Sequence, residues 1–138
     1  MTILDANVIS ALMQESPDKR VIAWLDLQPQ TSIWTTSITI LEIRVGLDVL
    51  PAGKRRRDLI EAFKSTLEAI RHRVAPFDTD AAEQAGELMA SRQRKGRRGD
   101  LRDTMIAGIA LAHRATLATR STAHFQDLSI SVVDPWSG

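Results

Sequence analysis

Asp5, Glu42 and Asp103 are the residues of this 138-residue chain whose types and settings suit chemistry. Asp5 directly follows the apolar pair Ile3-Leu4, and the other two interrupt otherwise apolar helical stripes. A carboxylate withdrawn from water needs a cation, a proton or several donors to offset its lost hydration. Three such acids with no evident basic partner point to a divalent metal. Brought together by folding, they make an all-oxygen site suited to Mg²⁺, with Mn²⁺ as a substitute. Such a cation lowers the pKa of a bound water, orients a phosphodiester and stabilises charge on the leaving oxygen. Each acid also has an ordinary structural use. Asp5 can cap a helix, and Asp103 suits the first turn of one, so spacing alone leaves both readings open.

The elements that must position these acids alternate between strand and helix. Residues 2–5 read as a short buried strand, and residues 8–13 as the start of a helix entered through Asn7. Pro17-Asp18 opens a second helix carrying Val21, Ile22, Trp24 and Leu25, and residues 28–30 close it. Residues 32–36 are rich in Ile, Trp and Thr and predict a strand, after which Ser37 caps a helix to about Leu50. On that helix Glu42 shares a face with Ile38, Val45, Gly46 and Val49, and Gly46 would let another backbone come close. A long amphipathic helix over residues 54–72 buries Leu59, Ile60, Phe63, Leu67 and Ile70. Residues 74–77 are extended, Asp78 or Asp80 caps a helix through Arg94, and residues 96–99 form a basic loop. The helix from about Asp103 to His113 carries Ile106, Ala107, Gly108 and Ala110, small residues that imply tight packing against a sheet. Residues 115–119 and 130–133 are the last strands. This alternation predicts an α/β fold with a mainly parallel sheet covered on both faces, and ligands at the strand carboxyl ends.

Length places residues 1–138 in a single domain with a real core. Without cysteine there are no disulfides or zinc–thiolate sites. The first residues make a poor signal peptide, and the longest apolar run, residues 105–112, is too short to span a bilayer. A cytoplasmic protein with no membrane partner is expected. Charge is unevenly spread: residues 54–57 carry +4 and residues 92–102 carry +5, so a total of +1 leaves −8 on the rest. Arg97, Arg98 and Arg102 flank the helix of Asp103 and are candidate phosphate contacts, although a solvated loop explains them equally well. Residues 54–57 are open to the same two readings. His72, His113 and His124 lack metal-ligand spacing and read as surface or satisfied histidines. Six aromatics without a tyrosine disfavour an RNA binder built on stacking.

Three stretches, taken in order, resemble the PIN-domain family: Ile3-Leu4-Asp5-Ala6-Asn7-Val8-Ile9-Ser10, the segment from Ser37 to Gly46 around Glu42, and Asp103-Thr104-Met105-Ile106-Ala107 with Ala110. Leu117-Ala118-Thr119-Arg120 and the ending Asp134-Pro135-Trp136 look more narrowly like its VapC toxins, in the FitB-like branch. The resemblance implies a three-layer α/β/α sandwich with short strands, and a Mg²⁺-dependent nuclease site built from Asp5, Glu42 and Asp103. Asn7, Thr119 and Ser121 would support those acids from behind. It further implies an endoribonuclease toxin that hydrolyses RNA with metal-activated water, restrained by a VapB-type antitoxin. Such toxins commonly form homodimers and reach operator DNA through the antitoxin. Ser121 stands where many members place an acid or asparagine, leaving open whether one metal or two are held. An alternative class is a non-catalytic family member that acts with its antitoxin as an operator-bound corepressor.

Overall fold

The computed structural model describes residues 1–137. Strand β1 (Thr2–Leu4) is buried along its length. It ends at Asp5, whose extended backbone (φ −71°, ψ 166°) and side-chain acceptor cap helix α1 (Ala6–Leu12). The cap is therefore Asp5, and Asn7 lies inside the first turn. Helix α2 (Lys19–Asp26) is capped by Asp18 as expected. Strand β2 (Ile33–Thr36) runs directly into α3 (Ser37–Asp48). Here the cap falls one residue before the expected Ser37: the Thr36 hydroxyl accepts from Thr39 N at 3.0 Å, while the Ser37 hydroxyl accepts from Phe77 N.

Helix α4 (Lys54–Ala69) stops short of the expected residue 72. Arg71 and His72 adopt φ of 53° and 52°, a left-handed turn that redirects the chain into β3 (Val74–Ala75). Helix α5 (Thr79–Arg94) is capped by Asp78, and α6 (Leu101–His113) by Asp100. Strand β4 (Thr116–Ala118), a 3-10 turn (Thr122–Phe125) and β5 (Val132–Val133) complete the sheet.

All strand pairs are parallel, in the order β3-β2-β1-β4-β5. The chain steps outward from β1 to β2 and β3, then crosses to the other side for β4 and β5. The switch in direction thus falls between β1 and β4, where parallel sheets open a crevice at their carboxyl ends. Pairing of Leu4 with Ala118 brings those two ends level, and Asp5 N donates to Ala118 O at 2.9 Å.

Alternation along the strands divides the core in two. Leu4 and Ala118 face one layer with Val8, Ile43, Leu47 and Phe63. Ile3 and Leu117 face the other with Ile106, Ile109 and Phe125. Helices α1 to α4 cover the first face and α5 with α6 the second, giving the α/β/α sandwich. Gly108 serves a different contact from the one expected: a Cβ there would lie 2.5 Å from Ala81 O, so its missing side chain lets α6 approach α5 and not the sheet. On α3 the buried residues are Ile38, Thr39, Ile43 and Leu47, with Val45 and Val49 exposed. Glu42 consequently lies on the flank of that helix. Gly46 has no close neighbour that a side chain would meet. Among the described residues no helix is long and apolar enough to cross a membrane.

Candidate active site

The crevice between β1 and β4 is built around the carboxylate of Asp5, which is only 5% exposed. Its Oδ1 accepts from Ala6 N at 2.8 Å and its Oδ2 accepts from the Thr119 hydroxyl at 2.7 Å. Burial pushes the Asp5 carboxyl above the usual carboxylate range. Those two hydrogen bonds oppose the shift, and the charge of Asp103 adds to it. Thr119 is itself saturated. Having donated to Asp5, its oxygen accepts from Asn7 Nδ2 at 3.3 Å and from Ser121 N at 3.0 Å. Asn7 also donates to Ser121 Oγ at 3.3 Å and accepts from Arg120 N at 3.1 Å. One face of α1 is thereby stitched to the loop leaving β4, and Asp5 is held from behind.

Glu42 is treated differently. It is half-buried, and its Oε1 is enclosed without any hydrogen-bond partner. Desolvation first, then the negative charge of Asp5, pushes its carboxyl up to about 7; Arg102 opposes the shift, while Asp103 and Asp100 reinforce it. An orphaned carboxylate oxygen among other acids is costly unless a proton or a cation joins it.

Asp103 reaches the same neighbourhood from the first turn of α6. Asp100 Oδ1 accepts from its backbone nitrogen at 3.1 Å, and His124 Nδ1 lies 2.9 Å from Asp103 Oδ2. His124 is the basic partner that spacing did not reveal. Asp100 is occupied as a cap and Asp127 is paired with Arg92 at 2.8 Å, so neither stands in for the fourth acid that Ser121 lacks.

The three acids thus share one electrostatic neighbourhood without forming a closed ligand set. Among the described residues no three acids or histidines are disposed to hold a metal as they stand. Acids close enough to act on one another through their charge need not turn their oxygens to one point, which like charges resist. The donor types nonetheless suit a hard divalent cation: Asp5 and Asp103 act through their charge on Glu42, whose buried Oε1 has no hydrogen-bond partner among the described residues.

Of the arginines, Arg102 acts on Glu42 through its charge, whereas Arg97 and Arg98 line a cavity of about 330 Å³ together with Asp103, His124 and Gln126. All three are exposed. The larger cavity, about 1180 Å³, lies elsewhere: Leu12, Met13, Ile33, Lys54, Arg55 and Ile70 are among its walls, and none of the three acids is. Of the basic run of residues 54–57, Lys54 and Arg55 line that groove. Lys54 pairs with Asp58, and Arg56 with Asp48.

Residues 2–129 match the family described as PIN domain. The chain belongs to the PIN-domain family. This PIN domain is 39% identical over 137 residues to the VapC ribonuclease Y4jK of Sinorhizobium fredii, covering 99% of this chain and 98% of that protein. It is 34% identical to Toxin FitB of Neisseria gonorrhoeae, covering 99% of each. A solved structure of FitAB bound to a DNA fragment superposes with a TM-score of 0.88 at 34% identity, covering 99% of this chain and 96% of that one. The sandwich and its parallel sheet are those of the family.

Proposed function

We propose that this PIN domain is a Mg²⁺-dependent endoribonuclease toxin of a VapBC-like toxin–antitoxin pair, with Asp5, Glu42 and Asp103 as the metal ligands and Mn²⁺ able to substitute. The observation that carries the reading is the partnerless, buried Glu42 oxygen beside two further acids. A divalent cation held there supplies a Lewis acid that makes water a nucleophile near neutral pH and offsets charge on the phosphodiester. The chain's own residues do the positioning. Thr119 and the Ala6 nitrogen fix Asp5, His124 steadies Asp103, and Glu42, whose Oε1 has no hydrogen-bond partner, would supply the third carboxylate to the cation. Asn7, Thr119 and Ser121 back the site as a hydrogen-bonded net. Arg97, Arg98 and Arg102 present cations beside it, where an RNA backbone would pass.

Likeness to FitB and to the DNA-bound FitAB complex supports a toxin that pairs with an antitoxin, which in turn reaches operator DNA. A homodimer in the cytoplasm completes the proposal.

The test uses antitoxin-free protein and a structured RNA. Cleavage is expected with Mg²⁺ or Mn²⁺, is stopped by chelator, and is abolished in Asp5→Asn and Asp103→Asn while their circular dichroism stays that of the wild type. Equal cleavage by all three preparations would remove the assignment. No cleavage by any of them, with antitoxin binding intact, would make the chain the non-catalytic corepressor instead.

A further inference from the structure

Arg92 is a charged residue in the wrong place for a surface helix. It sits near the end of α5, is 6% exposed, and uses its whole guanidinium. Nε and Nη2 form a fork on Asp127 at 2.8 and 2.9 Å. Nη2 also donates to His124 O at 3.1 Å, and Nη1 donates to Thr104 Oγ1 at 3.1 Å. The Thr104 hydroxyl donates to Asp100 O at 2.9 Å, and Asp100 Oδ1 accepts from Asp103 N. Gly99 closes over the group: a Cβ there would lie 2.6 Å from Nη1, so any other residue at that point would require the guanidinium to shift.

Stability alone is a poor reason to keep such a pair. Replacing a buried ion pair with apolar side chains of similar volume is often neutral or stabilising. What an apolar pair cannot do is grip two polar points at fixed separation. The two points here are Thr104 and His124 O, and both belong to residues next to Asp103. Thr104 adjoins it on α6, and the His124 side chain touches its carboxylate.

We propose that Arg92 is a positioning residue for the metal site: clamped by Asp127, it locks the first turn of α6 to the 3-10 turn Thr122–Phe125 and so holds the Asp103–His124 pair in place for a divalent cation. The inference rests on Asp103 being a metal ligand. Outer hydrogen-bond partners of ligands commonly carry about 10- to 100-fold in metal affinity, so the expected effect is of that size. Lysine is no substitute, because it keeps the charge and loses the fork.

Mn²⁺ titrated into the antitoxin-free chain, with free ion followed by electron paramagnetic resonance, reads affinity without reference to cleavage. Wild type should bind in a manner lost on Asp103→Asn. The double variant Arg92→Met/Asp127→Leu leaves no orphaned charge; it should melt cooperatively and bind Mn²⁺ about 10- to 100-fold more weakly. Arg92→Lys and His124→Ala, which disturb the core less, should each weaken binding too and serve where the double variant does not fold. Mn²⁺ affinity within twofold of wild type in folded Arg92→Lys and His124→Ala overturns the inference while the metal assignment stands. Wild-type protein with no binding that depends on Asp103 overturns both.

Discussion

Asp5 and Glu42 are both desolvated acids of one site, yet the fold satisfies one and leaves the other bare. Asp5 stands at a strand end where backbone and hydroxyl donors are already available, and it takes two of them. Glu42 stands within a helix, whose backbone nitrogens are taken by the helix's own hydrogen bonds, and one of its oxygens is enclosed with no donor among the described residues. The same charge is therefore part of the architecture in one place and a strain on it in the other. An acid that caps a helix can be retained for stability, but an orphaned one needs a reason outside the fold.

The sharpest way to break this contrast is Glu42→Gln. Loss of an ionised ligand should reduce Mg²⁺-dependent RNA cleavage by more than about 100-fold, beyond the cost of losing an outer partner. Thermal stability at pH 8 without metal should rise, because a neutral amide escapes the repulsion of Asp5 and Asp103. Differential scanning calorimetry beside a cleavage assay reads both signs. A variant that loses activity and stability together would show that Glu42 is held by contacts the structure does not contain.

Much of this frame was legible before folding. Strand-forming runs, acids at helix starts and the left-to-right order of the elements predict the parallel sandwich, because hydrophobic period and capping chemistry are local. Errors cluster where a choice between adjacent residues depends on the partner strand. Asp5 takes the capping role its place allowed, and Asn7, the other candidate for that role, donates instead to Thr119 and Ser121, more than a hundred residues away in the chain. The spacing of Ile38, Val45 and Val49 leaves open whether Glu42 faces inward or lies at the edge of its stripe; α3 exposes Val45 and Val49 and turns Ile43 and Leu47 inward, which puts Glu42 at the edge. His124 and Arg92 lay outside the expected site altogether. Their partners sit on other elements, and no spacing within one helix records a contact across three.

Thr119→Val sharpens the comparison from the other side by making Asp5 resemble Glu42. The substitution preserves shape and removes the donor to Asp5 Oδ2, leaving a buried acceptor unpaired at a cost of about 1–3 kcal/mol. Metal affinity should fall by about 10-fold, since Asp5 is then free to turn away. Chemical denaturation and Mn²⁺ titration measure the two effects. A stability unchanged from wild type would mean that the Thr119 hydroxyl contributes nothing to fixing Asp5.

The smallest effect follows from protons. Glu42 titrates near 7 in the fold against 4.5 unfolded, and Asp5 is raised as well. Across that interval the folded state binds more protons than the unfolded one, so the contribution of these groups to stability declines as pH rises through 4.5 to 7. Metal-free protein should accordingly melt a few degrees higher at pH 5.5 than at pH 8, the shift being reduced by the solvent that reaches Glu42. In Glu42→Gln the slope should flatten, leaving the part owed to Asp5. Saturating Mg²⁺ should reverse it, because the cation binds the ionised carboxylates and competes with the proton. Melting curves at the two pH values, with and without metal, decide the matter: a slope that is the same in wild type and Glu42→Gln would mean that Glu42 is solvated after all, and that the two acids of the crevice do not differ.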